Sequence, residues 1–186
     1  LEQFVREANE AAGRKPSDYS DLEGYIFVSS AKATTPFHID MEENILIQLK
    51  GDKFLRTFDN ADCKLVNEAD MEFSPAVHRN RKYDPSFEER ATLHTLKPGD
   101  AVHIPYTHPH WVSTGDTYSI SMAMTWKTPE VRRLNKIRLI NGTLRTYGLP
   151  QASPGVSPMR DAAKVIAHDV MQAVLAPLRK SERLRV

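Results

Sequence analysis

The chain has 186 residues, 40% of them hydrophobic and 26% charged, which suits one domain with a sizeable core and excludes a largely disordered protein. Its apolar runs, such as residues 45–49, are too short to cross a membrane and its charged start is unlike a signal peptide, so we expect a cytoplasmic protein. The single cysteine, Cys63, excludes an internal disulfide framework and a cysteine-based zinc cluster.

The net charge of +1 hides an uneven distribution of charged residues. Residues 127–186 carry 12 Lys/Arg against 4 Asp/Glu, a net of +8, whereas residues 1–126 carry 13 against 20, a net of −7. Such a split is typical of a basic arm for nucleic acid or of a solvated helical tail on an acidic body. Because Tyr147 is the only aromatic residue of the basic part, a stacking platform for single strands is missing, and we expect no nucleic-acid binding.

The first elements are an amphipathic helix and a strand. Residues 1–12 have apolar positions at helical spacing, and Gly13 ends the helix. Residues 24–30 are rich in aromatic and β-branched side chains and predict a buried strand.

Two further strands, residues 44–49 and 53–58, flank the turn at residues 50–52, whose glycine predicts a hairpin. Lys53 opens the second strand. It lies either inside a barrel, where a buried cation requires an anionic partner, or in the exposed part of the hairpin.

Residues 59–90 are irregular and charged, with a short helical turn at residues 67–71 and a basic cluster at residues 78–82. We interpret them as an excursion over the opening of a barrel, where the determinants of a substrate would lie. The basic cluster is more typical of a solvated face than of a substrate contact.

Three more strands follow, at residues 91–96, 101–104 and 119–126. The last one alternates small, partly polar side chains with large apolar ones, which predicts that the small face borders a ligand and the large face packs outward. From Pro129 onwards the pattern becomes helical, at residues 130–139 and 161–178. The apolar stripe of the second helix either packs on its own domain or forms a homodimer. We therefore divide the chain into a β-barrel domain, residues 1–128, preceded by a further segment if Leu1 is not the true start, and a helical region, residues 129–186.

A metal site is predicted by His38 and Asp40. Side chains on a strand alternate between faces, so these two residues point in the same direction. A third imidazole, from His108 or His110, would complete the two histidines and one carboxylate found in non-haem Fe(II) oxygenases. Alternatively, His38 ends a strand and Asp40 is solvated.

Several motifs together resemble the JmjC and cupin-like 2-oxoglutarate oxygenases, which include bacterial cupin-like proteins. They are Thr35-Pro36-Phe37-His38-Ile39-Asp40, Asn44, Gln48-Leu49-Lys50-Gly51-Asp52-Lys53, Pro98-Gly99-Asp100, Ile104-Pro105 and His110-Trp111-Val112. The resemblance extends from about Tyr25 to Trp126 and implies a mainly β fold, a double-stranded β-helix (cupin or jelly-roll barrel) with flanking helices and a C-terminal helical region.

The resemblance also implies roles for individual residues. His38, Asp40 and His110 would bind Fe(II) and form the catalytic centre, which favours His110 over His108 as the third ligand. Three further residues would serve the co-substrate 2-oxoglutarate: its distal carboxylate would pair with Lys53, assisted by the Thr35 hydroxyl, and Asn44 matches a polar position beside that pocket.

The implied activity is that of a dioxygenase that uses O₂ and 2-oxoglutarate to hydroxylate a protein side chain or a small molecule, with succinate and CO₂ as co-products. The alternative is a non-catalytic cupin-like sensor or transcriptional regulator. It is favoured by the basic C-terminal part and by the final core strand, where the family has an Asn and this chain offers Ala123 or a neighbour. A cupin isomerase or dioxygenase that ignores 2-oxoglutarate is a third possibility.

Overall fold

The computed structural model of the protein describes residues 2–11, 13–15, 18–73 and 80–183, with side chains described at all of these except 73 and 177–183. The strands in this part of the chain are β1 Ser20–Ser29, β2 Thr34–His38, β3 Glu43–Lys50, β4 Lys53–Thr57, β5 Thr92–Leu96, β6 Ala101–Ile104, β7 His110–Thr114 and β8 Ser119–Lys127. The helices are α1 Glu2–Ala11, α2 Glu68–Phe73, a 3₁₀ helix Pro85–Arg90, α3 Pro129–Thr146 and α4 Pro158–Arg183.

The strands form two antiparallel four-stranded sheets, in the orders β1-β8-β3-β6 and β2-β7-β4-β5. Side chains from both sheets meet in one apolar core between them, which contains Leu46, Leu55, Leu96, Ile104, Val112 and Ala123. The predicted mainly β fold, a cupin barrel with flanking and C-terminal helices, is confirmed.

The predicted hairpin between β3 and β4 is wrong, although both strands exist. β3 lies between β8 and β6, whereas β4 lies between β7 and β5, so the chain crosses from one sheet to the other at this turn. Gly51 has φ +70°, and a Cβ there would come within 2.5 Å of the Tyr118 carbonyl oxygen. The close approach to Tyr118, the residue before β8, requires a glycine at this position, and a glycine is equally typical of a hairpin turn.

The predicted burial of the first strand is also wrong. Four large hydrophobic residues of β1 are exposed: Tyr25, Ile26, Phe27 and Val28, the last two with 46% and 73% of their surface accessible. β1 is an edge strand that pairs only with β8 in the described chain, so apolar side chains on both of its faces meet solvent.

The small face of β8 lies inside the barrel, as predicted. Ser119, Ser121, Ala123 and Thr125 are all buried. On the opposite face Trp126 packs outward with Val5 of α1 and Ile45 of β3.

In the described ranges, part of the 59–90 excursion packs on the outside of the barrel. Leu65, Tyr83 and Phe87 pack with Phe37 and Trp111 on the outer face of the second sheet. Apolar side chains in this excursion explain its position, because burying them against the sheet removes apolar surface from water.

The basic cluster at residues 78–82 lies only partly in the described chain, since His78 and Arg79 fall outside it. Arg81 forms an ion pair with Asp70 of α2 at 2.7 Å. At least this member of the cluster therefore serves the structure of the excursion.

The two C-terminal helices pack on each other through ion pairs such as Lys136–Asp169. The opposite face of α4 exposes Met159, Ile166, Val170 and Val174. A homodimer through this face stays a prediction, as does the domain boundary at residue 128. No helix in the described ranges combines the length and apolarity needed to cross a bilayer.

Candidate metal centre

Neighbouring strands bring the three predicted metal ligands together. His38 is the last residue of β2, Asp40 follows two residues later, and His110 opens β7. β2 and β7 are antiparallel with His38 directly opposite His110, and the centroids of their rings are 4.2 Å apart. The juxtaposition therefore follows from the strand register.

The distances between the potential ligand atoms suit a single ion. The His38 Nε2 atom is 3.7 Å from Asp40 Oδ1, and the His110 Nε2 atom is 3.6 Å from Asp40 Oδ2. Atoms bound to one ion at roughly 2.0–2.2 Å lie at most about 4.4 Å apart, so both distances fall within that limit. His38 and His110 are buried, with 8% and 3% of their surface exposed.

The hydrogen bonds of the two imidazoles also fit a metal. His38 Nδ1 lies 2.7 Å from the Pro36 carbonyl oxygen, and His110 Nδ1 lies 2.9 Å from the His108 carbonyl oxygen. A carbonyl oxygen only accepts, so each Nδ1 must carry the hydrogen, and in the neutral ring Nε2 keeps its lone pair. Backbone acceptors thus set the tautomer that a metal ligand needs.

A buried pair of polar residues lies beside Asp40. The Asn44 amide donates to Asp40 Oδ2 at 3.0 Å, and Asn44 on β3 lies opposite Thr125 on β8. The Asn44 Oδ1 and Thr125 Oγ1 atoms are buried with no partner among the described residues. The sequence placed Thr125 on the ligand-facing side of β8 but did not single it out as a site residue; the cross-strand register with Asn44 is the signal that does so.

The loop that precedes His110 is held by a strained residue. Thr107 has φ +62° and is almost fully buried. Its backbone N–H donates to the Asp40 carbonyl oxygen at 3.0 Å, and the Asn60 amide donates to its hydroxyl at 2.9 Å. The segments that carry Asp40 and His110 are therefore tied to each other directly.

Helix α3 links the same two segments from outside the barrel. The Asn135 amide donates to the Met41 carbonyl oxygen at 2.8 Å, and its oxygen accepts from the Tyr106 hydroxyl at 2.6 Å. Arg138 donates to that hydroxyl at 2.7 Å. Burial raises the pKa of Tyr106 to about 12, outweighing the opposing effect of the Arg138 charge, so the phenol stays protonated as a donor.

His38, Asp40 and His110, the candidate metal-binding group, line a cavity of about 520 Å³ between the two sheets. Leu46, Ile104, Val112 and Ala123 form its apolar wall, and residues of β1 line it where the strand is exposed to solvent. No described residue of the 59–90 excursion lines this cavity, which differs from the expected location of the substrate determinants.

Lys53 lies in the same cavity with only 4% of its surface exposed, so the barrel-interior alternative for this residue is the observed one. No ion pair or hydrogen bond of its ammonium is found in the described part of the chain. Burial lowers the pKa of Lys53, because removing the ammonium from water disfavours its charged form.

The other predicted residues have different surroundings. Thr35 lines the cavity but remains exposed to solvent. Asn44 lines the same cavity as Lys53, and its amide donates to Asp40, one of the predicted metal ligands. His108 does not belong to the group of three and lies in the turn before β7, with Nδ1 3.4 Å from the Tyr106 carbonyl oxygen.

The chain is similar to several known structures. The DMSP lyase DddQ from Ruegeria pomeroyi is 22% identical, with 61% of this chain and 40% of that chain covered and a TM-score of 0.37. A cupin superfamily protein from Desulfitobacterium hafniense is 14% identical, covering 58% and 70%, with a TM-score of 0.38. An oxalate oxidase in complex with glycolate is 15% identical, covering 57% and 42%, with a TM-score of 0.39.

The match to the lyase spans about two fifths of that protein's length. No curated protein matches the chain. The family of proteins with a cupin-like domain matches residues 2–131, which include both sheets and the His-Asp-His group. The chain belongs to the cupin-like domain family.

Proposed function

We propose that the protein is an Fe(II)- and 2-oxoglutarate-dependent oxygenase that hydroxylates a protein side chain or a small molecule. In this reaction the substrate, 2-oxoglutarate and O₂ give the hydroxylated product, succinate and CO₂. One observation carries the proposal: Lys53, buried and without a carboxylate partner among the described residues, shares a cavity with two histidines and one carboxylate.

His38, Asp40 and His110 would hold the ion, since two imidazoles and one carboxylate form the ligand set of non-haem Fe(II) oxygenases. When bound, Fe(II) supplies the redox chemistry with O₂, and the protein supplies binding and orientation. The Asn44 amide orients Asp40 by donating to the oxygen that faces His110.

Lys53 would bind the distal carboxylate of 2-oxoglutarate. A buried ammonium without a counter-ion costs free energy, and an anionic ligand offsets that cost with charge-assisted hydrogen bonds. The Thr35 hydroxyl borders the same cavity and can donate to the same carboxylate. A ligand with a carboxylate at each end matches a cavity with a metal-binding group and a lysine.

The unpartnered Asn44 Oδ1 and Thr125 Oγ1 atoms also favour a polar ligand in this cavity, because buried polar atoms are normally hydrogen-bonded. The primary substrate would approach past Tyr25 and Phe27, which line the cavity and are accessible from outside. Apolar walls elsewhere would keep water from the reacting groups.

Anaerobic titration of 2-oxoglutarate into the Fe(II)-loaded protein tests the proposal. We expect a visible metal-to-ligand charge-transfer band that weakens in Lys53→Ala, and loss of 2-oxoglutarate turnover in His38→Ala and Asp40→Ala. Absence of the band in a protein that retains iron would overturn the assignment. A band without any succinate formation would instead identify the non-catalytic sensor.

A further inference from the structure

A second cavity adjoins the first at Lys53. It measures about 310 Å³ and shares four lining residues with the cavity of the metal-binding group: Ser29, Thr35, Lys53 and Val112. None of the three predicted metal ligands lines it. The second cavity therefore extends the first beyond Lys53.

The strand register places this second cavity at the end of the barrel away from the metal-binding group. On β4, Thr57 lies opposite His110, whereas Lys53 lies opposite Thr114, another residue that lines the second cavity. Four residues along a strand span about 13 Å. A ligand that begins at the metal-binding group and passes Lys53 enters the second cavity.

The lining of the second cavity suits an anion. Besides Lys53, its lining includes five hydroxyl-bearing residues, Ser29, Ser30, Thr34, Thr35 and Thr114, and no acidic residue among those described. Hydroxyl and ammonium groups donate hydrogen bonds to a carboxylate. The Thr114 hydroxyl is already engaged, since it donates to the Ser30 carbonyl oxygen and accepts from the Ala33 N–H, both at 2.8 Å.

We propose that the co-substrate site accepts 2-oxo dicarboxylic acids longer than 2-oxoglutarate, with the far carboxylate bound in the second cavity between Lys53 and the surrounding hydroxyls. This inference rests on the proposed function, because it requires the oxo acid end to lie at the metal-binding group. The additional methylene groups would pass Val112, which is apolar and lines both cavities.

The test compares the binding of 2-oxoglutarate and 2-oxoadipate, measured calorimetrically without O₂ on protein loaded with Mn(II). Ala33→Leu fills the second cavity, since Ala33 lines it but contacts Thr114 only through its backbone. Ala31→Leu is the matched control, because Ala31 belongs to the same loop, is exposed and lines neither cavity. Thermal melting of each variant verifies that it is folded.

We expect both acids to bind the wild-type protein and the control. Extra side-chain volume in a filled cavity typically costs enough free energy to lower an affinity about tenfold. We therefore expect Ala33→Leu to lower the affinity for 2-oxoadipate about tenfold and the affinity for 2-oxoglutarate by less than about threefold. Binding of 2-oxoglutarate alone to the wild type would overturn this inference and leave the proposed function intact. Equal effects of Ala33→Leu on both acids, or no effect on either, would also overturn it. Failure of both acids to bind the metal-loaded wild type would overturn the proposed function itself.

Discussion

The two ends of the cavity differ in how many of their interactions the protein supplies by itself. At the metal end, both imidazoles bond to backbone carbonyl oxygens, and Asp40 accepts from Asn44. At the other end, the Lys53 ammonium has no partner in the described chain. The first end is preorganised, whereas the second would be completed by the proposed ligand.

This difference indicates which residues should affect the stability of the fold and which should affect the binding of ligands. Preorganisation lowers the cost of binding because the groups are already ordered. A buried charged group such as the Lys53 ammonium has a desolvation cost that is offset only when an anion binds to it. Variants at the two ends should therefore have opposite effects on folding.

The largest effect is expected at the carboxylate of the metal end. Asp40→Asn keeps the shape of the side chain but removes its charge. Removing a residue that only hydrogen-bonds a metal ligand typically lowers metal affinity roughly 10–100-fold. Because Asp40 is a predicted ligand itself, we expect Asp40→Asn to lower metal affinity by more than about 100-fold. Calorimetric titration with Mn(II) measures it, and Asp116→Asn, at an exposed carboxylate, should bind as the wild type does. Unchanged affinity in Asp40→Asn would contradict the predicted ligand set.

A smaller effect is expected from the residue that orients Asp40. Asn44→Ala removes the donor to Asp40 Oδ2 and should weaken metal binding by roughly 10–100-fold. Thr125→Val is the matched control, because Thr125 lies opposite Asn44 and contacts no predicted ligand by hydrogen bond. If both variants lose metal equally, the effect comes from the packing of this strand pair and not from orientation.

The hydrogen bonds that Asn135 of α3 makes should affect metal affinity less than Asn44 does. Asn135→Leu removes the bonds to Met41 and Tyr106. We expect about tenfold weaker metal binding and a free energy of unfolding lower by about 1–3 kcal/mol, since buried partners are left unsatisfied. Thr143→Ala, at an exposed position of the same helix, should alter neither quantity appreciably. An Asn135 variant with reduced stability and normal metal affinity would restrict this residue to a structural role.

The smallest effect, and the one of opposite sign, is expected at Lys53. Lys53→Met removes a buried charge without a partner, and because the cavity is open to solvent the expected gain is only on the order of 1 kcal/mol in the free energy of unfolding at pH 7. Chemical denaturation of the metal-free protein measures it. A less stable variant would mean that the ammonium has a partner.

The same variant has a predictable pH dependence. The folded-state pKa of Lys53 lies below its ordinary value of 10.5, so between the two the unfolded state binds more protons than the folded state. The stability of the wild type therefore rises with pH in that range. The advantage of Lys53→Met should shrink as the pH rises towards 10.5 and should be constant well below the folded-state pKa.

The predictions from sequence succeeded where a local pattern reports directly on burial. The alternation in β8 identified which face lies inside, and the His38-Asp40 spacing identified two side chains that converge. Both patterns follow from the two-residue period of a strand, which depends only on the backbone.

They failed where the answer depends on which strands become neighbours. The glycine turn at Gly51 is compatible with a hairpin, yet the chain changes sheets there. Residues 24–30 have the composition of a buried strand, yet β1 is an edge. Composition indicates that a strand favours burial, but it does not show whether another strand pairs with it or packs over it.

The sequence by itself determined the number and type of most elements, the inward face of β8 and the residue types of the candidate site. Only the tertiary structure decided that His110 lies opposite His38, that Thr125 faces Asn44, and that Lys53 is buried at the junction of two cavities. The physical reason is that side-chain direction repeats locally along a strand, whereas register and sheet order arise from contacts between residues far apart in the chain.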